Sequence, residues 1–290
     1  MNDAPDAPRL PPRPARGLAV GGPFMWLTPC EDESDIRTII CGQSHARSVM
    51  QAIVAPQLDG ADSPGPALAR RLGFAGLIGR RGTSAEAVLD HAAAQAQHRH
   101  LALMWRGNQN NRDFLFATEP LLDLVRAADP DAPVEAAAAL VPEAVVRAHL
   151  QPSVEPLEKL LASVGAASGC RRFVLGTPPP LHDADLLRGR LAAHIEALHP
   201  ANAARVRGAG DATDTLPIMP AAIRRKLWLV LQDLLAEAAA RNGAEFVPVP
   251  AQSLDQYGCL APRYSIGDIS HTTIGYGLLV LQDLAARLDG

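Results

Sequence analysis

Five short apolar runs, spaced by helix-length stretches, constrain this chain more than any other feature. Ile36 to Cys41 is the first, bounded by Gly42. Leu72 to Ile78 is the second, interrupted by Gly73 and Gly76, and Leu101 to Trp105 is the third, ending at Gly107-Asn108. Arg172 to Leu175 is stopped by Gly176-Thr177 and three prolines, and Phe246 to Val249 completes the set. Runs this short and this apolar read as strands buried on both faces. Helices are expected between them, over His45 to Ala55, Ser84 to His98, Asp183 to Leu198 and Ala221 to Arg241, with Thr272 to Leu288 closing the chain. Ser84, ahead of an unbroken Ala-rich stretch, has the chemistry of a helix start. Strands separated by helices imply an α/β fold, a doubly wound parallel sheet of about five strands.

Residues 1–34 begin with a stretch rich in Pro, Asp and Arg and read as a partly disordered arm, and 35–290 as a single domain. Phe114 to Val164 is helical in character but interrupted at Pro130, Pro142, Pro152 and Pro156, so a helical insertion is expected over about 109–170. A length of 290 residues is enough to bury a core, and 48% apolar content is ordinary for a globular protein. A net charge of −4 leaves no footprint for nucleic acid or an anionic membrane surface. No apolar run is long enough to span a bilayer, and the first residues lack the basic start and apolar stretch of a signal peptide. A soluble, cytoplasmic protein is the expectation. The four cysteines are widely spaced with no CxxC pair, which suits small buried hydrophobes. His98-Arg99-His100 has no second ligand cluster, so neither a metal nor another cofactor is expected.

In a sheet of this kind ligands bind outside the carboxyl ends of the strands. The residues able to do chemistry fall there. Ser44, within Gly42-Gln43-Ser44-His45, follows the first run; Gly82 lies in the loop after the second; Asn108 follows the third. Asp268-Ile269-Ser270-His271 precedes the closing helix. Singly, a serine after a strand caps a helix and an asparagine makes a turn. Jointly, serine, histidine and acid are the parts that turn a neutral hydroxyl into a nucleophile. His45 adjoins Ser44, and adjacent side chains at a helix start point apart. His182 and His199 lie near prolines with no acid at matching spacing and read as surface residues.

The order Gly-x-Ser, loop glycine, Gly-Asn and Asp-x-x-His before a terminal helix resembles the SGNH/GDSL hydrolase superfamily over residues 36–288. The resemblance implies a flavodoxin-like sheet, with Ser44 as nucleophile, His271 as general base and Asp268 orienting it. It also implies an oxyanion hole made by the backbone N–H groups of Ser44 and Gly82 and the side-chain amide of Asn108. Gly79 competes with Gly82, and Asn110 with Asn108. The chain departs from the family pattern at Gln43, Arg106 and Gln109, where Asp, Gly and Asp are usual. An α/β-hydrolase elbow is a poorer match, because that elbow follows several strands and only the arm precedes Ile36. The implied activity is hydrolysis of a carboxylic ester, an O-acetyl or short acyl ester of a small molecule or carbohydrate, through an acyl-enzyme on Ser44. The alternatives are an O-acetyltransferase acting on a carbohydrate with the same triad, or a non-catalytic carbohydrate-binding or scaffold protein.

Overall fold

The computed structural model describes residues 26–28, 32–54, 71–77, 84–106, 113–164, 170–191, 195 and 200–289. The first half runs through β1 (Trp26–Leu27), β2 (Thr38–Gly42), α1 (Arg47–Val54), β3 (Leu72–Gly76), α2 (Ala85–Ala96) and β4 (His100–Met104). The insertion follows, with β5 (Leu122–Asp123), β6 (Ala139–Leu140), α3 (Glu143–Leu150) and α4 (Glu155–Val164). The chain closes with β7 (Arg172–Leu175), α5 (Ala184–Leu191), α6 (Pro200–Ala209), α7 (Ala221–Arg241), β8 (Glu245–Val247) and α8 (Ile274–Leu288).

The main sheet has the order β1-β3-β2-β4-β7-β8. Its five parallel strands are the five apolar runs, in register Gly42↔Gly76 and Gly42↔Met104 at their carboxyl ends. The short β1, from the stretch expected as an arm, adds an antiparallel edge to β3. Among the parallel strands the direction of growth reverses between β2 and β4. That reversal opens a crevice at the carboxyl ends of these two strands, the usual ligand position in an open α/β sheet.

Both faces of the sheet are covered, which is why the strand runs are apolar without alternation. Ile39, Cys41, Leu101, Leu103 and Val174 point to the face covered by α2, α4 and α7. Ile40, Ala102, Met104, Phe173 and Leu175 point to the face covered by α1, α5, α6 and α8. Each large side chain buried in this way stabilises by about 1.5–3 kcal/mol. Ser84 caps α2 as expected, its Oγ accepting the Ala87 N–H at 3.1 Å. The side chain of Gln232 on α7 both accepts from the Thr177 N–H (3.1 Å) and donates to Thr177 Oγ1 (2.9 Å), tying down the loop after β7.

The insertion is only half helical. α3 and α4 fill its second half, whereas 113–142 runs as turns around the small parallel pair β5–β6. The carboxylate of Asp123 organises this part. It accepts the N–H groups of Leu124 (2.7 Å) and Glu135 (2.9 Å) and meets Lys226 Nζ of α7 at 2.5 Å. A buried acid satisfied by non-helical N–H groups, in a stretch dense in proline, outweighs the helical composition. α6 was not anticipated as a separate helix, because only Ala203 and Val206 of it reach the core. Among the described residues, no helix is long and apolar enough to cross a membrane.

Candidate active site

β2 ends at Gly42, where a methyl group would overlap Ala46 Cβ and crowd the Met104 carbonyl at 3.3 Å. The missing side chain lets the backbone fold at once into a 3-10 turn, Ser44–Ala46, that leads into α1. Ser44 therefore opens this turn at the β2/β4 crevice. Its residue is exposed, and among the described residues its hydroxyl makes no hydrogen bond. Its backbone N–H, at the start of a helical segment, lies where the peptide dipoles favour negative charge.

The second component is a closed loop before α8. Ser265 and Thr272 form an isolated antiparallel bridge, and the turn between them passes through Gly267 at φ +96, a conformation that favours glycine. Asp268 Oδ1 accepts the N–H groups of Ser270 (2.8 Å) and His271 (2.6 Å), while Oδ2 lies 2.6 Å from His271 Nδ1. The Asp-x-x-His spacing thus lets one carboxylate hold both the backbone and the imidazole. With Nδ1–H donated to Asp268, Nε2 keeps its lone pair for a proton. Burial works against the charge on Asp268, yet the hydrogen bonds from the His271 side chain and backbone and from Ser270 hold its carboxyl far below the usual range. Arg190 of α5 clasps the loop from behind, donating to the Asp268 carbonyl and to Ser265 Oγ, both at 2.7 Å.

Contacts join this loop both to α1 and to the serine turn that leads into it. Thr272 Oγ1 donates to Ser48 Oγ at 2.8 Å. The His45 ring lies on the His271 ring, with centroids 5.3 Å apart and planes 23° from parallel. α8 can approach this closely because Gly277 faces the Ser48 carbonyl, which any Cβ would overlap. Ser44 is the residue before His45 in that turn.

His45 is 4% exposed, and among the described residues neither ring nitrogen meets a partner at full hydrogen-bond geometry. Burial, then the charge of His271, push its pKa down to about 4 against the pull of Asp268. It is neutral near pH 7 and unsuited to be the base, as the sequence suggested. What adjacency in sequence did not reveal is its stacking on His271.

Gly82 and Asn108, with their competitors Gly79 and Asn110, lie outside the described residues, as does His199. Arg106, at the position where the resembling family has glycine, adopts φ +47 after β4, a left-handed conformation that favours glycine. His182 stacks on Tyr257 with centroids 3.9 Å apart. His100 Nδ1 accepts the Arg171 N–H at 2.9 Å at the opposite end of β4. Among the described residues, no group of three or more His, Cys, Asp or Glu side chains is placed to hold a metal ion. Burial raises the thiols of Cys41 and Cys259 to about 12 and about 11, in keeping with small buried hydrophobes.

No family model matches the chain, and no curated protein matches it. Among solved structures it is similar to a GDSL-like lipase from Bacteroides thetaiotaomicron, at 12% identity, 89% coverage of this chain, 91% of that one and a TM-score of 0.40. It is similar to an extracellular lipase from Streptomyces rimosus at 16% identity, with 87% and 99% coverage and a TM-score of 0.45. It is also similar to the periplasmic domain of a lipopolysaccharide acetyltransferase from Salmonella Paratyphi A at 10% identity, with 88% and 84% coverage and a TM-score of 0.45. At such identities, and at TM-scores under 0.5, the likeness carries no argument, and the chemistry rests on the residues of this chain.

Proposed function

We propose that this chain is a serine ester hydrolase of the SGNH/GDSL type, acting on a carboxylic ester with a short acyl group. The observation that carries the reading is the Asp268–His271 pair, fixed by one carboxylate and packed through His45 against the turn that bears Ser44.

Ser44 Oγ attacks the carbonyl carbon of the ester while His271 Nε2 takes the hydroxyl proton. Asp268 orients the ring and stabilises the imidazolium without itself taking a proton. Negative charge collects on the former carbonyl oxygen, within reach of the Ser44 N–H. A single oxyanion donor contributes about 3–4 kcal/mol to the transition state. Gly82 and Asn108 are the proposed further donors, through a backbone N–H and a side-chain amide. As the tetrahedral species collapses, His271 returns the proton to the departing alkoxide and leaves an acyl ester on Ser44. Water then adds to that ester with His271 again as base, releasing the acid and restoring the hydroxyl.

Hydrolysis of short-chain aryl acetates is the direct test. Ser44→Ala and His271→Ala are each expected to remove nearly all turnover while the circular dichroism spectrum is retained. Full activity in Ser44→Ala would overturn the mechanism, and a folded wild type that turns over no ester in a broad acyl panel would favour a binding protein.

A further inference from the structure

A cavity of about 250 Å³ lies between the first turns of α7, α3 and the strap 113–124, on the sheet face opposite α1 and α8. Its wall is apolar, with Phe114, Leu124, Val146, Met219, Ile223 and Leu227 among the lining residues. α7 runs antiparallel to the strands it joins, so its first turns lie at their carboxyl ends. The strap reaches the same edge from β4. These carboxyl ends form the sheet edge that carries Ser44, although the cavity stands as a site without reference to that residue.

Its polar groups are few and already engaged. Asp123 is held by Lys226 and two backbone N–H groups. At the mouth, His149 Nε2 lies 3.4 Å from Asp113 Oδ2, and the His149 ring leans on Phe114 with centroids 5.5 Å apart. Among the described residues the lining holds two carboxylates and one histidine but neither lysine nor arginine. A carboxylate or phosphate entering here would meet an acid with no free cation to balance it. Val145 and Leu122, 56% and 37% exposed, carry the apolar lining out to the rim.

We propose that this cavity binds a small uncharged apolar group, an aromatic ring or an alkyl chain of about six carbons. The volume sets the size. A dry cavity of about 150 Å³ lined by Leu, Ile and Phe accepts benzene, and drug-sized ligands need about 300 Å³ or more. The ligand has two sources, the apolar part of an ester held at Ser44 or a free neutral molecule.

The test uses the full chain with fluorobenzene as a fluorine NMR probe and hexan-1-ol and hexanoate as competitors. Saturable binding of fluorobenzene at one site is expected, displaced by hexan-1-ol and at least ten times less well by hexanoate. Val145→Trp, at the exposed rim, and Val146→Phe, in the wall, are each expected to weaken it at least tenfold with unchanged circular dichroism. Absence of saturable binding, hexanoate competing as well as hexan-1-ol, or binding indifferent to Val145→Trp would overturn the proposal. The source is read from the KM for p-nitrophenyl hexanoate. A tenfold rise in Val145→Trp with the acetate ester unaffected assigns the site to substrate. An unchanged KM alongside lost fluorobenzene binding assigns it to a free ligand, and either pattern supports the site.

Discussion

His45→Phe isolates the part played by the buried imidazole under His271. In the folded protein His45 is protonated only below about pH 4, against about 6.5 for a histidine in an unfolded chain. Between those values the unfolded chain binds a proton that the native ring refuses. Stability therefore rises with pH across this window and falls as the solution is acidified. The slope is about 1.4 kcal/mol per pH unit, so this ring removes about 3 kcal/mol of stability between neutrality and pH 4. Asp268 acts in a separate window. Its carboxyl is held below the unfolded value of about 3.9, so its contribution is complete above that pH and is lost as pH falls further. Urea unfolding, followed by fluorescence of the buried Trp105 and Trp228 at about pH 7.5, 6.5 and 5.0, stays clear of that lower window. Over this range the wild type is expected to lose about 2 kcal/mol more than His45→Phe. His91 and His100, whose pKa values are also lowered by burial, are common to both proteins and cancel in the comparison. So does any fixed cost of fitting a phenyl ring. Equal pH slopes in the two proteins would refute the burial of a neutral imidazole beneath His271.

Asp268→Asn keeps the size of the side chain but reverses its preference for the Nδ1–H, and kcat is expected to fall by about 10³–10⁴ in steady-state ester hydrolysis. Arg106→Gly relieves a left-handed residue and is expected to raise unfolding stability by about 1 kcal/mol, read from urea midpoints at constant m. Lys226→Met strands the buried Asp123 carboxylate and is expected to cost about 3–5 kcal/mol. Adding Asp123→Leu should recover part of that loss, and a double variant no more stable than the single one would contradict this view of the pair.

The strand framework was legible because strands buried on both faces must be apolar throughout, and few other elements look like that over five residues. Asp268 and His271 were legible for a local reason, since a three-residue spacing lets one carboxylate reach both the imidazole and two backbone N–H groups. Long-range features left no such mark. Asp123 meets Lys226 across more than a hundred residues, and that contact holds 113–142 in turns where composition suggested helix. His45 reads as one more polar residue at a helix start until α8 brings His271 over it. Cys41 within β2 and Gly42 at its end were read correctly as core and boundary, because both roles are fixed by immediate neighbours.

The most direct measurement is the site of covalent labelling by a fluorophosphonate, followed by intact mass and peptide mapping. One adduct is expected, on Ser44, formed rapidly in the wild type, slowly in Asp268→Asn and not at all in Ser44→Ala. A folded wild type that resists the probe, or an adduct on any other residue, would contradict the assignment of Ser44, His271 and Asp268 to one catalytic unit.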